Sequence, residues 1–153
     1  MKLVSACLVG FHCRYDGKNR LNKNLLKYFK EGELIPICPE QLGGLTTPRD
    51  RARIVGGDGK DVLEGKAKVI TYTGEDVTKQ YLRGSQESLK IARSLGIKEA
   101  ILKADSPSCG CGKILSENFS KKIKGDGVTT ALLKKNGIKV KTEEGLGDRI
   151  KSL

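Results

Sequence analysis

Five cysteines stand in this chain of 153 residues: Cys7, Cys13, Cys38, Cys109 and Cys111. Two of them fall one residue apart in "ADSPSCGCG", residues 104–112, and the others are widely spaced singles with no CxxC pair. In a reducing compartment thiols serve metal binding or catalysis rather than disulfides, and an odd count points the same way. The competing role for any single cysteine is that of a small buried hydrophobe. Structural zinc is usually held by four ligands, often from close pairs. Three thiolates brought together from distant parts of a chain suit a soft metal centre, either zinc or an iron–sulfur cluster. A cubane on three cysteines leaves one iron open as a Lewis acid for a substrate sulfur or oxygen.

The neighbours of these cysteines carry further chemistry. "CPE" sets Glu40 two residues beyond Cys38, where a carboxylate facing a cleft can act as general acid or base and one facing solvent does nothing. Ser106 and Ser108 flank Pro107 just before Cys109. Their hydroxyls can bond a substrate or simply cap a turn. Gly110 and Gly112 allow the backbone to approach a bulky group.

These residues need elements to place them. "KLVSACLVG" (residues 2–10) reads as a buried strand running into a loop. "RLNKNLLKYFKEG" spaces Leu21, Leu25, Leu26 and Phe29 as a helix stopped by Gly32. "ELIPICPE" is a second apolar strand, interrupted or ended by its prolines. Arg53 to Thr73 reads as one or two hairpins with Gly-rich turns. The strongest helix is capped by Asp76, runs an apolar face from Val77 to Leu95, and stops at Gly96. "KEAILKAD" is a third core strand. "GDGVTTALLKKNG" is a loop and a helix from Val128 or Thr129 to Gly137, "IKVKTEE" is a fourth strand, and "GLGDRIKSL" is a short peripheral tail.

Strands alternating with helices predict an α/β fold: one compact Rossmann-like domain over residues 1–153, with a mostly parallel sheet flanked by helices and a β-hairpin insertion. Ligands of such sheets bind outside the carboxyl ends of the strands. Cys7 ends the first strand, Cys38 ends the second and Cys109 lies just past the third. Three cysteines distant in sequence are thereby expected on one rim.

Lys and Arg total 29 against 18 Asp and Glu, a net charge of +11. That excess favours anionic partners such as nucleotides, RNA or phosphate esters, or else serves solubility. Seven aromatics without a tryptophan argue against a base-stacking platform for single strands. Met1 leads straight into "KLVSAC" without a secretory apolar region, and no apolar run approaches the roughly 20 residues of a membrane span. The expected location is the cytoplasm.

Taken in order, "SACLVG", "CRYDG", "CPEQLGGLTTPR", "EDVT", "LKADSPSCG" and "GDGVTTALL" resemble the thiouracil desulfidase family, with a match running from Lys2 to about Glu144. The resemblance implies a [4Fe-4S] cluster on three cysteines, whose fourth, open iron captures the sulfur of a thiolated uracil. Water then replaces that sulfur with no net redox change and sulfide is released. The implied substrates are free thiouracils or 4-thiouridine monophosphate. Relatives fused to an RNA-binding domain act on thiouridine in RNA.

Carried over by motif, the ligands are Cys7, Cys38 and Cys109, with Cys13 of "CRYDG" in reserve and Cys111 incidental. Glu40 activates water. Ser106 orients or protonates the ring nitrogen or leaving group, with Ser108 the alternative for that task. A stand-alone chain fits a base or nucleotide better than RNA, and its positive charge puts the nucleotide first. Arg14, Arg49, Arg51 and the helix start in "GDGVTT" are candidates for its phosphate, and Asp16 is expected to fix Arg14. The reading of a different class is a non-catalytic iron–sulfur or zinc module that senses metal or redox state or carries sulfur. An RNA-binding protein rests on charge alone.

Overall fold

The computed structural model describes residues 1–146. The chain runs β1 (Lys2–Ser5), a 3-10 turn (Ala6–Val9), α1 (Lys23–Lys30), β2 (Leu34–Ile37), α2 (Pro39–Leu42), β3 (Ala52–Val55), α3 (Gly59–Leu63), β4 (Lys68–Thr71), α4 (Thr78–Ser94), β5 (Glu99–Leu102), β6 (Lys113–Leu115), β7 (Lys122–Lys124), α5 (Val128–Lys135) and β8 (Lys139–Thr142). Four strands form a parallel sheet in the order β2-β1-β5-β8. The pairs β3–β4 and β6–β7 are separate antiparallel hairpins. Among the described residues no helix is long and apolar enough to cross a membrane.

The central strands are apolar at successive positions because both faces of the sheet are covered. Leu3 and Leu102 pack with Leu89 and Ala92 of α4 and Leu133 of α5, while Val4 and Ile101 pack on the other face with Leu25 of α1 and Leu8. β2 lies at the sheet edge, and this is why Pro36 sits inside it opposite Val4 without breaking an inner ladder. From β1 the chain crosses through α1 to β2 on one side, while β5 flanks β1 on the other. The crossovers therefore diverge at the carboxyl ends of β1 and β5 and open a crevice there.

Local differences from the sequence reading have local causes. The first strand stops at Ser5, so Cys7 sits in the 3-10 turn, closed by Gly10 in the left-handed region. The hairpin over residues 53–73 contains α3, whose capping box pairs the Asp58 carboxylate with the Asp61 N–H and the Asp61 carboxylate with the Asp58 N–H. Asp76 accepts from the Thr78 N–H at 2.9 Å at the start of α4. The β6–β7 hairpin is an element the sequence reading lacks. The predicted peripheral tail falls mostly outside the described residues.

α2 is fixed by contact of backbone on backbone. A Cβ on Gly84 of α4 would collide with the Pro39 carbonyl, and one on Gly43 with the Gln80 carbonyl. These two glycines bring α2, and with it Cys38 and Glu40, down onto α4. Gly84→Ala is expected to push the helices apart and lower stability by about 1–3 kcal/mol, the usual range for overpacking. Denaturant midpoints compared with a substitution at exposed Arg83 would measure it.

Candidate functional site

A cavity of about 260 Å³ opens at the crevice. Cys7 reaches it from the turn after β1, Cys38 and Glu40 from the start of α2, and Ser106 and Cys109 from the loop after β5. Cys13, Arg14, Arg49 and Arg51 line the same space. The rim expected from strand order is thus occupied by the expected cysteines, and all five are free thiols.

The loop that carries Cys109 is held at many points. Ser106 Oγ accepts from the N–H groups of Ser108 at 3.2 Å and Cys109 at 2.7 Å, which leaves its own proton to donate. The N–H groups of Val128 and Thr129 bond the carbonyls of Pro107 and Ser108 at 2.8 and 2.9 Å. A Cβ on Gly127 would strike the Ser108 carbonyl and the Cys109 nitrogen, so only glycine lets α5 approach this closely. Thr130 Oγ1 donates to the Cys109 carbonyl at 2.8 Å.

Three thiols form a connected group. Cys13 hydrogen-bonds to both Cys7 and Cys38; this lowers the pKa of those two and drives that of Cys13 far up. When protonated, Cys38 donates to the Cys13 carbonyl at 3.7 Å; when ionised, it accepts from the Cys13 thiol. Cys109 stands apart. Burial, and then the nearby Glu40, push its thiol well above the ordinary value, opposed by a hydrogen bond with Ser5. Among the described residues no three His, Cys, Asp or Glu side chains are arranged to share one metal ion.

Glu40 faces the cavity and lies 3.6 Å from Arg49 Nη2 through Oε2, both side chains largely buried. Its Oε1 has no protein partner among the described residues. Arg49 also donates to the Cys13 carbonyl at 2.9 Å, to the Thr46 carbonyl at 3.2 Å and to Thr47 Oγ1 at 3.0 Å. It orients Glu40 and Cys13 with most of its donors already engaged. Arg51 packs on the rings of Phe119 at 4.4 Å and Tyr15 at 5.7 Å. Arg14 lies over Tyr15 at 5.5 Å and 3.9 Å from Asp16, so the expected pairing with Asp16 is long. Its Nε is buried without a hydrogen-bond acceptor.

Some expected residues are elsewhere. Ser108 is fully buried and shares a 2.8 Å hydrogen bond with Thr129, so it does not face the cavity. Cys111 Sγ lies 3.5 Å from the Val140 carbonyl and packs against the sheet core. The "GDGVTT" helix start does not present its N–H groups to an anion, because the loop carbonyls at Pro107 and Ser108 take them. Tyr81, Lys103 and Asp50 also line the cavity and were not singled out in the sequence. For Lys103 the available signal was its position as the first residue after β5.

The sequence model of a family described as 2-thiouracil desulfurase matches residues 3–145. Uncharacterized protein YbbK of Bacillus subtilis (strain 168) is 48% identical over 149 residues, 97% of this chain and 99% of the relative. A solved structure of the [4Fe-4S]-dependent thiouracil desulfidase TudS superposes with a TM-score of 0.84 at 39% identity, covering 95% of this chain and 91% of that one.

Proposed function

The chain belongs to the 2-thiouracil desulfurase family, and from that premise we propose that it desulfurates a thiolated uracil nucleotide, 4-thiouridine monophosphate, with an iron–sulfur cluster and without net redox change. The observation that carries the reading is the convergence of Cys7, Cys38, Cys109, Glu40 and Ser106 on one cavity. The donor set fits the group: three free thiols from three separate segments, soft ligands suited to iron and sulfide. TudS, similar over nearly the whole chain, is described as [4Fe-4S]-dependent.

Cys7, Cys38 and Cys109 would hold the cluster, which when bound supplies an open iron as a soft Lewis acid for the substrate sulfur. Glu40 takes a proton from the attacking water through its free oxygen, with Arg49 fixing the carboxylate from the other side. Ser106, with two backbone N–H groups already on its oxygen, donates its proton to the pyrimidine ring. Arg14, which lines the cavity, binds the phosphate. The overall exchange is balanced: C=S and water give C=O and hydrogen sulfide.

The test is anaerobic reconstitution with iron and sulfide, followed by addition of 4-thiouridine monophosphate. The expected result is loss of thiocarbonyl absorbance with uridine monophosphate and sulfide formed in equal amounts by the holoprotein alone. A stable cluster that turns over neither this nucleotide nor free thiouracils would overturn the reading in favour of a sensor or sulfur carrier.

Arg14→Ala separates nucleotide from base. A charge-assisted hydrogen bond contributes about 1.5–3 kcal/mol, so KM for the nucleotide is expected to rise about tenfold to a hundredfold. KM for free 4-thiouracil should stay as in wild type, measured side by side.

A further inference from the structure

Lys103 is the first residue after β5 and lines the cavity together with Cys7 and Cys109. Its ammonium lies 2.9 Å from Glu143 Oε2 and donates to the Ala104 carbonyl at 3.2 Å. An ammonium has three donors, and the third has no protein acceptor among the described residues. Glu143, one residue beyond β8, uses its second oxygen to accept the Ala104 N–H at 2.7 Å. One carboxylate thus ties down the loop leading to Cys109 and fixes the lysine beside it. Lys103 lines the cavity and Glu143 does not.

The two side chains are only 18% and 16% exposed. Taking an ion pair out of water costs several kcal/mol per ion before the attraction repays it, and an apolar side chain would pack there without that cost. The charge has a use on the cavity side. In the reaction above, sulfur enters neutral, as a thiocarbonyl, and leaves as hydrosulfide or hydrogen sulfide, so negative charge grows on it beside thiolate ligands. Two other cations of the cavity are engaged elsewhere, Arg49 with Glu40 and Arg51 with the rings of Phe119 and Tyr15. Lys103 shares the cavity wall with Cys7 and Cys109, and Arg14, which lines the same cavity, is the cation assigned to the phosphate.

The geometry points to Lys103 as a further site residue, a cation fixed by Glu143 that stabilises the negative charge gathered on the cavity's sulfur, with Glu143 as its positioning residue. The inference rests on the iron–sulfur reading of the site and extends it to two residues outside the motif assignments.

The test uses anaerobically reconstituted protein, with sodium hydrosulfide as the probe, and reads hydrosulfide affinity from cluster absorption and the reduction potential from a redox titration. Lys103→Met keeps much of the stem and removes the charge. It is expected to weaken hydrosulfide binding about tenfold and to lower the potential by about 60 mV, the one-electron equivalent of tenfold. Lys103→Arg should recover most of both. Glu143→Gln keeps an acceptor for the Ala104 N–H but leaves the lysine charge uncompensated, so binding should tighten and the potential rise.

Opposite signs for Lys103→Met and Glu143→Gln are the signature of charge, since a loosened loop would move both the same way. Wild-type values in Lys103→Met, or shifts of the same sign in the two variants, would overturn the inference while leaving the cluster in place. A wild-type protein that assembles no cluster would overturn the iron–sulfur reading itself, and this inference with it.

Discussion

Alanine at Cys7, Cys38 or Cys109 is expected to abolish both iron incorporation and turnover, whereas alanine at Cys111 leaves both intact. The first three line one cavity from three separate segments, so loss of any one removes a third of the proposed ligand set. Cys111 points the other way, with its sulfur at the Val140 carbonyl in the sheet core. Iron and acid-labile sulfide per chain, measured after anaerobic reconstitution, decide the matter. Thermal melting of the metal-free variants controls for folding, since Cys7 and Cys109 are buried.

Cys13 supplies the sharper contrast. Its thiol bonds Cys7 and Cys38, so Cys13→Ala removes a hydrogen bond to two proposed ligands without removing a ligand, and the cluster should still assemble. Full iron loading in Cys13→Ala, with none in Cys38→Ala, is the expected pair. The reverse pair would place Cys13 in the ligand set and Cys38 outside it.

Sequence reached the sheet more readily than the site, and for physical reasons. β1 and β5 are buried on both faces, so Leu3 and Val4, and Ala100, Ile101 and Leu102, form continuous apolar runs that stand out. α3 was hidden because its start signal is a capping box of two aspartates within a glycine-rich stretch, which also reads as a turn. β6 and β7 were hidden because they are three residues each and half lysine or more in β7, with no alternating apolar pattern to mark them.

Within the site, strand order alone brought Cys7, Cys38 and Cys109 to one rim, because in a parallel sheet all carboxyl ends face one way. What hydroxyls and cations do there depends on partners far along the chain. Ser108 meets Thr129, 21 residues on, and is withdrawn from the cavity. The start of α5 offers N–H groups in sequence, but Gly127 lets the Cys109 loop come close enough to use them. Lys103 and Glu143 lie forty residues apart and acquire a role only through the pairing of β5 with β8.

Glu40→Gln is expected to keep the cluster absorbance, the iron content and KM close to wild type while lowering kcat by about two to four orders of magnitude, the usual contribution of a positioned general base. Glutamine preserves the shape of the side chain and, through its amide oxygen, an acceptor for Arg49. It cannot take a proton from water. Normal turnover would sink the assignment and leave Asp50 and Asp105 as the other cavity carboxylates. Both are poorer candidates on geometry, since Asp50 accepts from the Thr73 hydroxyl at 2.8 Å and Asp105 is paired with Lys122 at 2.9 Å. Glu40 differs from them in standing two residues beyond Cys38, at the start of α2, with its carboxylate fixed by a largely buried arginine. A variant that removes only the basicity of Glu40 is therefore the most direct test of the proposed mechanism.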